Sequence, residues 1–547
     1  MSQTEAAEAA RLALTRPLAL DLTTTLVGHL ARHAAATPDT VFIHHGPRTT
    51  TYGRLLEQVA QVRGELLAAG CRPGDVVACA GPRSARTLAL FLALESIGAV
   101  YLPLGPDWPA QRTASVLRRS AADLVADYLG EDAADARHAL EEAAGAAGTR
   151  VLTLGTDPAH DTHETHEAAA QPRWRTHCAG GEPRYVFYTS GTTGVPKGAL
   201  IEHQGMVNHL WAKIIDLGLG DTDVIAFSAP LTFDIAIWQM LVPLMTGSSL
   251  AILDDGHMSF PRRLAGELRA RRVTVLELVP TTLGWLADEV LRSGSPLDDL
   301  RWVVSTGEEL HPALARRFFR ALPHCSLGNA WGFTECSDDL THHTVRTSEL
   351  DQERLPVGPP IVNVTLYVLV RDEATGQWKA ARPGEPGEIF AGGVPVGRGY
   401  LADDEATGRA YFRDVIDPRS PTGRLYKGGD AGYVKDGLLH YLGRLDRQVK
   451  VAGVRMELDE IETVLKSHPH VAQGTVLAVG DGHDRQLVAC YTPAPDGCDE
   501  RDLQRHLRRA LPAPMVPSRW LALPEMPLNG NGKTDHKALT RMIGEQR

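Results

Sequence analysis

Residues 188–198, Tyr-Thr-Ser-Gly-Thr-Thr-Gly-Val-Pro-Lys-Gly, have the composition of a loop that holds phosphate. The glycines permit tight turns and close backbone approach, the hydroxyl side chains offer hydrogen-bond donors, and the lysine supplies a cation. Apolar residues 185–188 precede the loop and predict a strand that leads into it. The candidate phosphate-binding residues are Thr189, Ser190, Gly191, Thr192, Thr193, Gly194 and Lys197.

Neither of the two glycine-containing lysine segments is a Walker A loop, which requires GxxxxGK followed by Ser or Thr. In the first segment Pro196 precedes Lys197 and Gly198 follows it. In the second, residues 527–534, Pro527 stands where the first glycine is required. These mismatches exclude the P-loop NTPases.

Seven further motifs accompany the 188–198 loop. They occupy residues 51–55, 98–104, 233–234, 329–335, 426–430, 443–450 and 531–533. With motifs of these residue types in this order, the chain resembles the adenylate-forming superfamily, most closely the amino-acid adenylation domains of nonribosomal peptide synthesis, over nearly its whole length.

The resemblance implies a reaction, a fold and partners. A carboxylate attacks the α-phosphate of ATP to give an acyl-adenylate, and the phosphopantetheine thiol of a carrier protein then takes the acyl group. The implied fold is α/β: a large N-terminal domain of layered α/β subdomains plus a β-rich subdomain, residues 1–445, and a small mobile C-terminal α+β domain, residues 446–547. ATP and Mg²⁺ are the implied cofactors. We expect a free-standing enzyme that loads a separate carrier protein, because no serine motif for phosphopantetheine is present; the resemblance also allows an MbtH-like helper protein.

The motifs also imply residue roles. Lys533 would bridge the substrate carboxylate and the nucleotide oxygens as a point charge. Thr334 and Glu335 would hold phosphate and Mg²⁺, for which hydroxyl and carboxylate oxygens are suitable ligands. Asp446 would be the hinge about which the small domain rotates between the two half-reactions, and residues 451–457 would then line the pantetheine channel. The residues implied to bind the rest of ATP are Asn329 and Trp331 at adenine, Asp430 at the ribose hydroxyls, and Arg444 at the ribose–phosphate side.

The pocket residues bear on substrate class. By motif they are Asp234, Ile235, Trp238, Glu277, Val304, Thr306, Ala330, Asp338 and Asp339, together with Lys533. In this family an aspartate at position 234 pairs with the substrate ammonium, since a buried cation needs a compensating anion. The three additional acids (277, 338 and 339) predict an amino acid with a basic or additional amino group. The alternatives are a small or polar amino acid, an acyl- or aryl-CoA synthetase, an amide ligase that uses no carrier, and a regulatory protein with an inactive site.

Three positions depart from the family pattern. Phe333 stands where proline is usual, Gly428 where threonine is usual, and Ala452 where arginine is usual. The adenylation charges are retained, but the change at Ala452 puts a contact with the carrier or pantetheine in question.

Composition excludes several classes of protein. The chain has 547 residues, 43% hydrophobic and 22% charged, so it is neither disordered nor a coiled-coil rod. A net charge of −11 leaves no polybasic footprint for nucleic acid or an anionic membrane. Seven cysteines without a CxxC pair and an N-terminus without a signal-peptide pattern predict a cytoplasmic location. Residues 225–253 are apolar but interrupted, which predicts a buried strand–helix–strand rather than a membrane span.

Alternating short apolar strands and helices predict the layered α/β fold. Strands are expected at 75–80 and 99–104 with a helix at 87–97 between them, and residues 121–149 are expected to be helical. Residues 160–167, which carry three histidines, are interpreted as a polar loop rather than a metal site. In the C-terminal domain we expect a strand from 449, a helix from 457, a strand at 487–491 and a helix at 502–510.

Overall fold

The computed structural model describes residues 1–130, 132–155, 173–190, 196–451, 453–480, 485–494, 497, 499–527 and 534–545. The α-helices in these ranges are α1 (Gln3–Leu12), α2 (Leu26–Ala36), α3 (Tyr52–Ala68), α4 (Ala85–Ile97), α5 (Ala110–Ser120), α6 (Ala134–Ala147), α7 (His203–Leu217), α8 (Ile235–Thr246), α9 (Asp255–Met258), α10 (Pro261–Ala270), α11 (Pro280–Ser293), α12 (Pro312–Ala321), α13 (Asp404–Ala410), α14 (Leu458–Lys466), α15 (Glu500–Ala510) and α16 (His536–Glu545).

The β-strands in the same ranges are β1 (Leu14–Thr15), β2 (Val41–His45), β3 (Arg48–Thr51), β4 (Val76–Ala80), β5 (Val100–Leu104), β6 (Leu124–Asp127), β7 (Arg150–Thr153), β8 (Pro183–Thr189), β9 (Lys197–Glu202), β10 (Val224–Phe227), β11 (Ser249–Ile252), β12 (Val275–Leu278), β13 (Trp302–Ser305), β14 (Ser326–Phe333), β15 (Asp338–Thr344), β16 (Val364–Arg371), β17 (Trp378–Ala380), β18 (Gly387–Gly393), β19 (Gly399–Tyr400), β20 (Tyr411–Arg413), β21 (Arg424–Lys435), β22 (Leu438–Arg444), β23 (Gln448–Val451), β24 (Val454–Glu457), β25 (Val471–Val479), β26 (Gln486–Pro493) and β27 (Arg519–Ala522).

Two large sheets with helical crossovers form most of the N-terminal part. One has the strand order β19-β9-β8-β5-β4-β6-β7 and the other β15-β14-β13-β12-β10-β11-β2-β3. The interior strands of both pair in parallel. Antiparallel strands lie at both edges of the second sheet and at the β19–β9 edge of the first, whose other edge strand, β7, is parallel to β6. Helix α4 is buried along almost its whole length, because apolar side chains from both sheets pack around it. The predicted layered α/β fold is confirmed.

The sequence expectation for residues 121–149 was wrong in part. Leu124–Asp127 form a strand rather than helix, because all four residues are buried and pair in parallel with β4. The helix begins only at Ala134. The predicted strand–helix–strand over residues 225–253 is present as β10, α8 and β11. The histidine-rich segment 160–167 lies outside the described residues.

The remaining sheets complete the architecture. A β-rich sheet with the order β1-β16-β18-β21-β20 also carries β17 and β22, which pair with β16 and β21. After it come the β23–β24 hairpin and a three-stranded sheet, β25-β26-β27, whose small core includes side chains of α14 and α15. Within the described ranges, none of the helices combines the length and apolar character needed to cross a lipid bilayer.

The sheet that contains β12, β13 and β14, the β-rich sheet and the β23–β24 hairpin meet at one edge of the first of these sheets. The parallel strands β12, β13 and β14 end there, and residues immediately after parallel strands are where open α/β sheets bind ligands. Strands β21 and β22 bring Asp430 opposite Arg444 at the same place. The β23–β24 hairpin enters from the C-terminal side.

Candidate active site

A cavity of about 460 Å³ opens at this edge. Its lining residues come from segments that are far apart in the chain. The site residues predicted from sequence that line it are Asp234, Ile235, Thr306, Asn329, Ala330, Trp331, Thr334, Asp338, Asp339, Asp430, Arg444 and Asp446. Lys450 and Arg455 of the β23–β24 hairpin line it as well. Residues Gly191, Thr192, Thr193, Gly194 and Lys533 lie outside the described residues.

Asp234 marks one end of the cavity. It caps the N-terminus of α8 and accepts a hydrogen bond from the Ile235 amide at 3.1 Å. Burial raises the pKa of Asp234, and a hydrogen bond from the Thr334 side chain opposes part of that rise. A carboxylate that is partly withdrawn from water favours a cationic group beside it.

Behind this end lies a buried lysine that sequence reasoning missed. Lys213 of α7 is fully buried, and its Nζ lies 3.1 Å from both carboxylate oxygens of Glu277 and 2.7 Å from Asp339 Oδ2. The ring of Trp238 stands 4.7 Å from the same nitrogen, and its indole N–H donates to Glu277. A signal for Lys213 was present in the sequence, since its spacing from apolar neighbours places it on the buried stripe of α7.

In this ion cluster Lys213 and Asp339 form an ionised pair, and Glu277 is the acid that titrates. Burial alone would lower the pKa of Lys213, but the Asp339 and Glu277 carboxylates raise it. Burial opposes ionisation of Asp339, yet Lys213 lowers its pKa on balance. Burial raises the pKa of Glu277 to about 7. Lys213, a cation of the protein itself, therefore binds two of the three additional acids. Of those three, only Asp338 is left to pair with a second ammonium group of the substrate.

Four other predicted pocket residues form the walls around this cluster. Thr306 donates from its hydroxyl to Asp339 Oδ1 at 3.1 Å. Val304 and Ala330 are buried in the large hydrophobic core, and Ile235 packs against that core. Of the nine predicted pocket residues that the structure describes, six line the cavity, whereas Trp238, Glu277 and Val304 do not.

The other end of the cavity carries the residues predicted for the nucleotide. Asp430 accepts hydrogen bonds from Arg444 at 2.7 Å and from the Trp331 indole at 3.2 Å. Arg444 also binds Asp446 through two nitrogens, at 2.9 and 2.7 Å. The Asn329 amide donates to the Pro356 carbonyl at 2.9 Å. The structure thus joins four of these five residues in one hydrogen-bonded group and holds Asn329 beside it.

Glu335 is not among the described residues that line the cavity, but Arg455 of the hairpin, which does line it, binds its carboxylate. Arg455 Nη1 lies 2.8 Å from Glu335 Oε2, and the Tyr400 hydroxyl donates to Oε1 at 2.9 Å. Glu335 is fully buried; burial would raise its pKa, but Arg455 holds it below the ordinary value. Sequence reasoning placed residues 451–457 in the site but did not identify this pair.

Two more hydrogen bonds hold the hairpin in place. The Gly453 amide donates to Glu308 Oε1 at 2.7 Å, and the Ser190 hydroxyl donates to the Arg455 carbonyl at 3.2 Å. Burial lowers the pKa of Lys450, while the charges of Asp430 and Asp234 act in the opposite direction. A polar strand pair of the C-terminal part therefore occupies the middle of the cavity.

The described part of the phosphate loop adjoins this region. Thr189 ends β8, and its hydroxyl lies 3.5 Å from the Lys197 carbonyl. The Lys197 ammonium stands 5.6 Å above the Tyr400 ring. Burial lowers the pKa of Lys197, opposed by Glu457 and Glu335. The loop cation and the Glu335 carboxylate are thus electrostatic neighbours.

Two of the departures from the family pattern explain each other. The buried ring of Phe333 packs edge-on against Trp331 and Tyr426, with ring centroids 4.9 and 5.1 Å apart. A Cβ atom added at Gly428 would lie only 2.4 Å from that ring. The larger side chain at 333 is accommodated because position 428 has no side chain.

Comparisons with known proteins agree with this geometry. Residues 30–401 match the AMP-binding enzyme family and residues 460–533 match the AMP-binding enzyme C-terminal domain. The chain is 38% identical over 520 residues to phosphinothricin tripeptide synthetase PhsB of Streptomyces viridochromogenes, covering 93% of this chain and 41% of that synthetase.

Two solved structures share the fold at 25% identity and a TM-score of 0.79. One is holo-PA1221, an NRPS protein containing adenylation and PCP domains, matched over 96% of this chain and 85% of that one. The other is the amide bond synthetase McbA from Marinactinospora thermotolerans, matched over 94% and 99%. The chain belongs to the AMP-binding enzyme family, whose members are ATP-dependent ligases, and is an adenylation domain of the adenylate-forming superfamily.

Proposed function

We propose that this chain activates an amino acid with ATP and transfers it to the phosphopantetheine thiol of a separate carrier protein. The carrying observation is one cavity lined by Asp234 at one end and by Asp430 and Arg444 at the other. Arg455, which also lines the cavity, binds the buried Glu335. An ammonium fits the first end, a ribose fits the second, and the reacting carboxylate and α-phosphate would meet between them. The relatives support the carrier, since PA1221 contains a PCP domain beside its adenylation domain.

The first half-reaction joins a substrate carboxylate oxygen to the α-phosphorus and breaks the bond to pyrophosphate, which leaves. In the second, the carrier thiolate sulfur attacks the acyl carbon and the bond to AMP breaks. Catalysis of the first step depends on positioning and on cations near the charged phosphate oxygens. Lys197 and Lys533 are the proposed cations, and Thr334 is the proposed hydroxyl ligand.

Glu335 can serve as a Mg²⁺ ligand only in an arrangement in which Arg455 no longer binds it. In the observed arrangement the Arg455 guanidinium neutralises one carboxylate oxygen and the Tyr400 hydroxyl occupies the other. When bound, Mg²⁺ would supply charge neutralisation for the phosphate oxygens. Release of Glu335 therefore requires withdrawal of the β23–β24 hairpin.

We propose that the observed arrangement serves the second half-reaction and that rotation about Asp446 gives the first. The support is geometric: the hairpin that follows Asp446 fills the middle of the cavity through Arg455 and Gly453. Rotation of residues 446–547 as one domain against residues 1–445 would remove it and admit Lys533. Such reuse of one site needs only a few hinge residues that change backbone angles.

The test is amino-acid-dependent ATP–pyrophosphate exchange, followed by loading of a phosphopantetheine-bearing carrier added in trans. Exchange with one amino acid and thioester formation on the carrier would support the proposal. Asp234→Ala should raise the KM for the amino acid far more than that for ATP, because only the ammonium loses its partner. Exchange driven by aryl or fatty acids, or acyl transfer to free CoA in preference to the carrier, would contradict the proposal.

The substrate is proposed to carry a basic or additional amino group. Asp338 supports this, since it lines the cavity without a cationic partner such as the one that holds Asp339. The proposed cytoplasmic location is supported by six described cysteines that are buried and free.

A further inference from the structure

The acids around the amino-acid end of the cavity are not equivalent. Glu277 and Asp339 bind Lys213, whereas Asp338 is 6% exposed and lines the cavity, and its Oδ2 has no hydrogen-bond partner among the described residues. The Nδ1 atom of His209 lies 3.8 Å from that oxygen. Burial lowers the pKa of His209 well below its usual value, so this ring is neutral. Asp338 is thus a buried carboxyl that faces the substrate space without a compensating charge.

Asp338 lies close to the carboxylate proposed to bind the α-ammonium. Asp338 and Asp234 line the same cavity. Burial raises the pKa of Asp338, and the charges of Asp339 and Asp234 raise it further. The strand register supports this, since Asp338 pairs with Phe333, the residue before Thr334, whose side chain hydrogen-bonds to Asp234. A cation that satisfies Asp338 must therefore sit near the α-ammonium.

Lys213 limits how long a basic substrate can be. Among the described residues, the cavity walls include Thr306 and Asp339 but not Lys213 or Trp238, which lie behind them. A long side chain would carry its cation away from Asp338 and toward the fixed ammonium of Lys213. There it would find no free carboxylate, because Asp339 and Glu277 are already paired with Lys213, and a buried cation without a partner is costly.

We propose, on the basis of the proposed function, that the substrate is a short diamino acid whose second ammonium group is on the β-carbon. Asp234 binds the α-ammonium and Asp338 binds the second one. Asp338 gives up its proton as the substrate enters, to the second amine where that amine arrives neutral and otherwise to solvent, so each ammonium faces one carboxylate. The substrate carboxylate remains free to attack ATP.

The experiment is ATP–pyrophosphate exchange with the full chain and two series of amino acids. The first series keeps the length constant: 2,3-diaminopropionate, serine and alanine. The second extends the amine: 2,4-diaminobutyrate, ornithine and lysine. We expect kcat/KM to be highest for 2,3-diaminopropionate, by about tenfold or more over serine, and to fall as the amine is moved outward.

Asp338→Asn tests the residue, because it removes the charge and keeps the shape. It should lower kcat/KM for 2,3-diaminopropionate by about 100-fold while changing that for serine only a few-fold. Asp436→Asn, at an exposed turn outside the cavity, is the matched control and should change neither value. Thermal denaturation of each variant shows that it is folded.

The outcomes separate this inference from the function on which it rests. Preference for serine, alanine, ornithine or lysine would overturn the inference and leave amino-acid activation intact. An equal loss for all substrates in Asp338→Asn would also overturn it. The absence of exchange with every amino acid would contradict the proposed function itself.

Discussion

Replacement of Arg455 by alanine tests whether the observed hairpin position belongs to the second half-reaction. The variant leaves the fully buried Glu335 without its cation in that position. Removing one partner of a buried ion pair costs about 3–5 kcal/mol. In an arrangement with the hairpin withdrawn, the pair is already broken, so this cost falls mainly on the observed arrangement.

A cost of about 3 kcal/mol lowers the population ratio of the two arrangements by about 100-fold. We therefore expect carrier loading from a preformed adenylate to slow by about that factor, while ATP–pyrophosphate exchange stays within about threefold of wild type. ATP–pyrophosphate exchange measures the first half-reaction alone, and single-turnover transfer to a phosphopantetheine-bearing carrier measures the second.

Arg508→Ala is the matched control, because this arginine is exposed on α15 of the same C-terminal part. It should leave both rates unchanged. If Arg455→Ala lowered exchange and loading by the same factor, Arg455 would serve both steps and the assignment of the observed arrangement would be wrong. Unchanged carrier loading would show that the ion pair does not stabilise the arrangement that serves the second half-reaction.

Three further predictions concern the buried groups around the cavity. Phe333→Ala should lower the free energy of unfolding by about 3–5 kcal/mol through the space it leaves, and Gly428→Ala by about 1–3 kcal/mol through collision with the ring. In denaturant titrations the double variant should lose about 1–3 kcal/mol less unfolding free energy than the two single variants lose together. Additive losses would contradict the coupling. Lys213→Met should cost about 3–5 kcal/mol in the same titration, because two buried carboxylates lose their cation; a cost below about 1 kcal/mol would refute this. Because burial raises the pKa of Glu277 from 4.5 to about 7, the stability contributed by its protonated form is complete below pH 4.5 and is lost as the pH rises through about 7. The stability of wild type relative to Glu277→Gln should fall across that window, and a constant difference would show that Glu277 does not titrate there.

The elements that position the site were predictable because their signals are local. The apolar pattern over residues 87–97 predicts α4, and the strand–helix–strand pattern over residues 225–253 predicts β10, α8 and β11. The failure at residues 124–127 has the opposite cause. The short run Leu124–Asp127, three apolar residues and an aspartate, becomes a strand only because β4 lies beside it, a partner more than forty positions away in the chain.

The departures at positions 333 and 428 illustrate the same limit. In the sequence they are two unrelated substitutions, separated by ninety-five positions. In the folded chain they are one adjustment, since the phenyl ring occupies the space that a side chain at Gly428 would need.

By itself, the sequence determined the family and the reaction class and predicted twelve of the residues that line the cavity, because these depend on residue types in ordered motifs. It also predicted that the amino-acid pocket contains four acids. Only the tertiary structure decided which acids remain available to a substrate, since that depends on Lys213, which α7 directs between Glu277 and Asp339. Charge balance inside a protein is a matter of distances of a few ångströms between side chains from different elements, and no local pattern encodes those distances.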